Sequence, residues 1–226
     1  MRAPLSVVIP TLNAADALPA CLGTLIEGVD AGLVRELILS DGGSTDATPQ
    51  IASEVGAQLI TGPASRGGQL RRGAQAAAGE WLLFVHADSQ VPPGWAALVQ
   101  AHMTQTTADT PAYFKLRFDQ RGFAPRWVAG WANLRARLFR LPYGDQGLLV
   151  SRAAYDAAGG YRDIALMEDV TLARALRPAP VALPGVITTS ADKYQRDGWL
   201  KRGGRNLSLL LRYGLGADPD ALARRY

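Results

Sequence analysis

The chain is 226 residues long, 48% apolar and 19% charged, with a formal net charge of +4. These values describe one globular domain with a substantial core and exclude a disordered chain, while the modest basic excess suits anionic small molecules, lipid or nucleic acid without choosing among them. The single cysteine, Cys21, excludes an internal disulfide framework and a cysteine-based zinc site, fits a reducing cytoplasm, and itself reads as a small buried apolar residue.

In chain order, Leu5 to Ile9 reads as a buried strand ended by Pro10. Ala14 to Glu27 reads as a helix with Asn13 as its cap. Leu37 to Leu39 is a second strand, and Ser44-Thr45-Asp46 opens a helix that runs to Gly56 with Pro49 in its first turn. Gln58 to Ile60 is a third strand. Gln69 to Ala78 is an alanine-rich helix closed by Gly79, and Trp81 to Val85 is a fourth strand. The second half is less regular. Tyr113 to Phe118 and Gly147 to Val150 are strand-like. Pro125 to Arg140, Ile164 to Leu176 and Trp199 to Tyr213 carry helical patterns, the last one basic.

Strands and helices alternating at this spacing predict βαβ units and a mainly parallel sheet flanked by helices. Ligands bind such sheets at the carboxyl ends of the strands. The second strand runs into Asp41 and the fourth runs through His86-Ala87 into Asp88, so both carboxylates are expected at one crevice.

Five segments can carry chemistry there. Asp88, at a strand end, can hold a hard cation shared with substrate phosphates, or be a turn residue. In Ser40-Asp41-Gly42-Gly43-Ser44-Thr45-Asp46 the glycines let backbone approach a ligand. Asp41 can accept hydrogen bonds from a nucleobase or ribose, while Ser44 or Thr45 caps the next helix. Ser65-Arg66-Gly67-Gly68-Gln69 is a glycine-rich helix start suited to an anion. It lacks the spacing of ATPase and dinucleotide motifs, and Arg71 and Arg72 read as solvated. Glu168-Asp169 is either a pair of acids complementing a helix dipole or a general base. Tyr143-Gly144-Asp145-Gln146 is a turn by composition that can also present hydrogen bonds to sugars.

In this order the segments resemble glycosyltransferase family 2, of the GT-A fold, over nearly the whole chain. Ser6 to Asn13 looks like the family's first strand and nucleotide-contacting turn, and Ser40 to Asp46 like its second. His86-Ala87-Asp88 looks like a variant of the metal-binding Asp-x-Asp motif, and Met167-Glu168-Asp169 like the motif that supplies the base. The blocks Leu141 to Gly147, Gly159 to Tyr161 and Leu166 to Asp169 resemble a bacterial transferase 2 subgroup associated with radical-SAM and selenium-related domains.

The resemblance implies an inverting, in-line transfer of a sugar from a nucleoside-diphosphate donor to a hydroxyl acceptor. Pro10, Thr11, Asn13, Asp41, Arg66, Gln69, His86, Ala87 and Asp88 would hold the donor. Asp88 would ligate a divalent metal, Mn²⁺ or Mg²⁺. Asp169 would be the base with Glu168 beside it, and Tyr143, Asp145 and Gln146 would hold the sugars. It also implies one domain over 1–226, nucleotide-sugar-binding over 1–110 and acceptor-binding over 111–226, which includes the basic C-terminal helix. His86 departs from the family by replacing the first acid of Asp-x-Asp; imidazole can bind Mn²⁺ and suits Mg²⁺ poorly. Some family members use a late histidine as a metal ligand, but the only other histidine, His102, falls soon after the metal motif.

From Lys115 to Arg140 there are seven basic residues and one acid, with aromatic residues interleaved. This segment is a membrane-facing surface reaching a lipid-linked acceptor, a cover over the acceptor cleft, or an amphipathic helix packed on the core with a solvated basic face. No apolar run approaches the roughly 20 residues that span a bilayer. Leu5 to Ile9 is too short for a signal-peptide core. The expectation is a cytoplasmic protein, at most peripheral at the inner face of the membrane. No nucleic-acid motif accompanies the charge. Two rivals remain: a non-catalytic nucleotide-sugar scaffold, and a sugar nucleotidyltransferase. The second would carry an arginine-containing glycine loop where Pro10-Thr11-Leu12-Asn13 stands.

Overall fold

A computed structural model describes residues 3–105 and 109–223. Four strands, β1 (Leu5–Thr11), β2 (Val34–Asp41), β3 (Gln58–Thr61) and β4 (Trp81–Phe84), pair in parallel in the order β3-β2-β1-β4. The crossovers are helices α1 (Leu18–Asp30), α2 (Thr48–Glu54) and α3 (Arg66–Ala76). Four further strands follow: β5 (Ser89–Gln90), β6 (Ala112–Phe118), β7 (Leu148–Ser151) and β8 (Val181–Thr189). They extend the same sheet to β3-β2-β1-β4-β7-β6-β8-β5. β7 is antiparallel to both β4 and β6, β6 and β8 are parallel, and β5 closes antiparallel on β8.

Period-two alternation divides the core between the two faces of the sheet. Val7, Ile9, Leu39 and Leu83 face α1 and α4 (Trp95–Gln105), where Leu18, Cys21, Leu25, Trp95 and Val99 are buried. Val8, Ile38, Leu82 and Phe84 face α3 and a cluster of Tyr155, Tyr161 and Leu172. α3 lies close against the strands because Gly73 has no side chain: a Cβ there would sit 2.3 Å from Val8 Cγ1. Cys21 is buried and free, as expected, and burial pushes its thiol up to about 12.

The remaining helices are α5 (Phe123–Phe139), α6 (Arg152–Ala157), α7 (Glu168–Ala175), α8 (Asp192–Asp197), α9 (Trp199–Gly214) and α10 (Pro219–Ala223), with a 3₁₀ turn over Gly144–Gln146. Among the described residues no helix is long and apolar enough to cross a membrane.

Several expectations are corrected. Asn13 caps no helix, since α1 starts only at Leu18. Ser44 and Thr45 do not start α2; they bond to Asp41 and Asn13, and Asp46 Oδ1 accepts from Thr48 N at 3.0 Å. Gly79 is not a helix cap. α3 ends at Ala76, and Gly79 N donates instead to Ser6 Oγ, where a Cβ would approach that atom to 2.6 Å. The long strand β8 falls in a segment not expected to be a strand. Of the three readings of the Lys115 to Arg140 segment, a helix packed on the core through its aromatic face is corrected: Trp127, Trp131, Leu134 and Leu138 face outward. Val128, Ala129, Ala132 and Ala136 seat the helix instead, because small side chains allow close approach. Asn133 fixes it to β6 by bonding both Leu116 N (2.7 Å) and Leu116 O (2.9 Å).

Candidate active site

Two turns form at the carboxyl ends of β1 and β2, where Thr11 and Asp41 are neighbours in the parallel register. Asp41 is buried and holds both turns. Its Oδ1 accepts from Thr11 Oγ1 (2.9 Å) and Ser44 Oγ (2.5 Å), and its Oδ2 from Gly43 N (2.8 Å) and Ser44 N (2.7 Å). Desolvation raises its pKa, but these hydrogen bonds outweigh it and hold the carboxyl below its usual range. Asn13, in the left-handed region at φ 49°, joins the turns from the other side. It accepts from Thr45 N at 2.9 Å and donates its own N–H to Ser44 Oγ at 2.8 Å. Asp41 therefore lies beneath the cleft rather than lining it.

α3 enters the site N-terminus first. Ser65 caps it, accepting from Gly68 N at 3.3 Å and donating to Asp163 Oδ1 at 2.6 Å. Gly67 and Gly68 are required by this loop: a Cβ on Gly67 would lie 2.1 Å from Arg162 O, and one on Gly68 2.5 Å from Asp163 Oδ1. The Gln69 amide, buried, donates to Thr11 O (2.6 Å) and Ser40 O (3.1 Å), tying the ends of β1 and β2 together. Arg66 reaches across the cleft, with Nε 3.8 Å from Glu168 Oε1.

Past β4, His86 and Asp88 turn into the same space. His86 Nε2 and Asp88 Oδ1 are buried, without a hydrogen-bond partner among the described residues. Burial, reinforced by Arg66, lowers the His86 pKa to about 3 and keeps the ring neutral. Its Nε2 packs on Gly144, where an added Cβ would lie 2.4 Å away. Asp88 Oδ2 pairs with Lys193 Nζ at 3.3 Å. Burial pushes the Asp88 carboxyl up, but the surrounding groups, Lys193 foremost with His86 and Arg66, together outweigh it and hold it below the usual range.

The second carboxylate group comes from α7 and the 3₁₀ turn. Asp169 Oδ2 accepts from Gly144 N at 3.0 Å, so the turn aims this carboxylate. Burial, then the Asp169 charge, push Glu168 up to about 8 in spite of Arg66. Below that pH the Arg66 contact is to a neutral carboxyl. Burial likewise raises Asp145 to about 6, and its Oδ1 has no hydrogen-bond partner among the described residues. Tyr143 lies under Arg135, whose guanidinium carbon is 3.2 Å from the ring centroid. Gln146 turns away from the cleft. It is fully buried; its Oε1 accepts from Tyr143 N (3.2 Å) and Arg135 (3.4 Å), and its Nε2 donates to Phe114 O and Asn133 Oδ1 (3.4 Å each).

These residues line two adjoining hollows. One holds Pro10, Thr11, Asn13, Gln69 and Ala87; the other holds Tyr143, Asp145, Glu168 and Asp169. Arg66, His86, Asp88 and Lys193 belong to both and form the wall between them. The predicted residues are thus brought together, Asp41 and Gln146 excepted. Sequence reasoning missed Lys193 and Asn206. A strand read over Val181–Thr189 would have placed Lys193 at a strand end, by the argument that found Asp88. His102 is elsewhere, with Nε2 2.7 Å from Thr110 O.

Among the described residues no three or more His, Cys, Asp or Glu side chains are grouped to hold a metal. Of the partnerless atoms in the cleft, His86 Nε2 and Asp88 Oδ1, one imidazole nitrogen and one carboxylate oxygen, fit a cation that draws its other ligands from a diphosphate, and Mn²⁺ better than Mg²⁺.

Residues 6–163 match the profile of Glycosyl transferase family 2. The chain belongs to that family. This glycosyl transferase family 2 member is 33% identical over 170 residues to a PGL/p-HBAD biosynthesis glycosyltransferase of Mycobacterium bovis (strain BCG / Pasteur 1173P2). The match covers 71% of this chain and 64% of that relative's length. The fold is shared with glucosyl-3-phosphoglycerate synthase of Mycobacterium tuberculosis, solved in complex with Mn²⁺, UDP and glucosyl-3-phosphoglycerate. The TM-score is 0.63 at 23% identity, covering 95% of this chain and 81% of that one. It is shared also with S. aureus TarS 1-349, at TM-score 0.63 and 17% identity over 96% of this chain and 67% of that one. The architecture is the GT-A-like mixed α/β fold expected from the sequence.

Proposed function

We propose that this family 2 protein is an inverting glycosyltransferase that moves a sugar from a nucleoside-diphosphate donor to a hydroxyl acceptor. One observation carries the reading: Arg66 and Lys193 share the wall between the two hollows with Asp88, and Asp169 lines the second hollow. A diphosphate leaving group requires such cations, and an attacking acceptor hydroxyl such a carboxylate. The division of labour follows, with the donor held by residues within 1–110 and by Lys193, and the acceptor by residues within 111–226.

The turns shaped by Asp41 and Asn13 receive the base and ribose, with Pro10, Thr11 and Ala87 lining the cleft and Gln69 bracing its floor. Arg66 and Lys193 flank the diphosphate. A divalent cation held by Asp88 and His86 would offset charge on the departing diphosphate. Asp169, aimed by Gly144 N–H, takes the acceptor hydroxyl's proton as its oxygen attacks the anomeric carbon and the bond to the diphosphate oxygen breaks. Protonated Glu168 can donate to a sugar oxygen. Tyr143 and Asp145 contact the sugars, with Gln146 supporting them from behind through Tyr143 N and Arg135.

The acceptor in this reading is lipid-linked, met by a cytoplasmic protein in peripheral contact with the inner face of the membrane. The Leu141 to Gly147, Gly159 to Tyr161 and Leu166 to Asp169 blocks support a place in the subgroup associated with radical-SAM and selenium-related domains.

The test is a thermal-shift screen of nucleoside diphosphates and their sugars, with and without Mn²⁺. Uridine forms come first, because UDP occupies the solved synthase. One nucleotide should raise Tm in a metal-dependent way, and Asp88→Ala should abolish the shift. No shift with any nucleotide would overturn the reading. Unchanged transfer by Asp169→Asn would remove the proposed base.

A further inference from the structure

α5 carries an apolar stripe that is left largely exposed among the described residues. Phe123, Trp127, Trp131, Leu134 and Leu138 recur at three- and four-residue spacing, so they share one side of the helix. Phe123 is 84% exposed, Trp127 58% and Leu138 61%. α9 carries a second stripe, Leu200, Leu207 and Leu211, with Leu200 76% exposed.

The two helices are neighbours, with Val128 of α5 facing Gly203 of α9. They run in the same direction. Trp199, which begins α9, packs edge-on against Phe118, shortly before α5. Leu209, further along α9, clusters with Leu141, just after α5. For helices running alongside one another in this way, helical periodicity turns both stripes to the same outward side.

Charge frames the apolar surface. Arg126 and Arg137 follow the edge of the α5 stripe, and Lys201 and Arg212 the far edge of the α9 stripe; all four are exposed. The whole of α9 contains no acid, and Asp119 is the one acid between Lys115 and Arg140.

We propose that this two-helix face docks on the surface of an anionic lipid bilayer. Aromatic rings with long cationic side chains at their margin suit the headgroup boundary, where the rings insert and the cations meet lipid phosphates. A second copy of the chain is a poor occupant, because two such faces bring together cationic margins with no acid in α5 or α9 to pair with them. The location also serves the cleft. Arg202, Asn206 and Leu209, on the inner side of α9, line the hollow that holds Asp169. A headgroup at the bilayer surface would then lie about one helix diameter, ~10 Å, from the proposed base. The proposal deepens the reading of a membrane-borne acceptor and rests on it only for its purpose.

The test is co-sedimentation of the full chain with vesicles of phosphatidylcholine alone and with roughly one third phosphatidylglycerol. The chain should bind the anionic vesicles at least about tenfold more tightly, and less so as salt rises. Trp127→Ser with Trp131→Ser should lower binding to the anionic vesicles about tenfold, and Arg126→Gln with Arg137→Gln should remove most of the salt dependence. Both double variants should keep the parent's Tm and nucleotide-induced shift, which separates lost docking from lost folding. Absence of binding to anionic vesicles would overturn the proposal. So would sedimentation velocity showing a dimer that the tryptophan variants dissolve, since a second copy would then own the face. Vesicle binding without any sugar transfer would instead count against the transferase reading and leave this one standing.

Discussion

Lys193 Nζ lies 3.3 Å from Asp88 Oδ2, so an ammonium already neutralises the carboxylate proposed to hold the metal. The two residues are 105 positions apart in sequence and meet because β5 pairs with β8, with Ser89 opposite Thr189. A cation entering this site must share Asp88 with Lys193 or displace it.

Lys193→Met should therefore raise Mn²⁺ affinity. The pair is half exposed on the lysine side, so its worth is held to about 1 kcal/mol, or roughly fivefold in affinity. Mn²⁺ titration followed by electron paramagnetic resonance checks it. Weaker binding in the variant would mean that Lys193 orders the site instead of competing for it. Transfer at saturating Mn²⁺ should still fall, because the diphosphate loses a cation.

Asp169→Asn should lower kcat by about 10²–10⁴-fold, the range for losing a general base. Nucleotide binding measured by thermal shift should be unchanged, since Asp169 lines the other hollow. A KM change with kcat preserved would assign Asp169 to binding alone.

Glu168→Gln should stabilise the protein at alkaline pH. Its folded pKa, about 8, lies above the ordinary value of 4.5, so the folded state holds the proton more tightly. Its contribution to stability is fully present below about 4.5 and is lost as pH rises through 8. The neutral amide escapes that loss. Tm of the variant should exceed the parent's by about 10 °C at pH 8 and converge with it near pH 4.5. A constant difference across that window would show that the Glu168 proton is not linked to folding.

Asp41→Ala should behave as a structural lesion. It strands the Thr11 and Ser44 hydroxyls and the Gly43 and Ser44 N–H groups, at a cost of about 2–4 kcal/mol. Tm should fall by about 5–12 °C. Calorimetry decides: weakened nucleotide binding at an unchanged Tm would make Asp41 a ligand contact and not the brace of both turns.

Sequence alone determined the parallel half of the sheet and the carboxylate at the end of its fourth strand. Apolar runs, strand–helix alternation and turn residues are local signals, and the strand-end rule converts them into a site. Hence Asp88 and Arg66 were legible, while the turn after β1 was marked only by the family resemblance. Sequence also presented Glu168-Asp169, though as dipole complement or base with equal right.

Tertiary structure decided what depends on contacts between distant segments. β8 is interrupted by Pro184 and Gly185, which hide its period, so Lys193 became visible only once β8 had paired with β6 and β5. Asp41 and Gln146 have polar side chains that suit a ligand equally well. Whether they reach one depends on whether the fold satisfies their hydrogen bonds first, and here it does. The same holds for α5. Its apolar stripe predicts an inward face, but the alanine side packs closer to β6 and leaves the aromatic side in the open. Periodicity shows that a helix has two faces; only the space left by the rest of the chain chooses which one is buried.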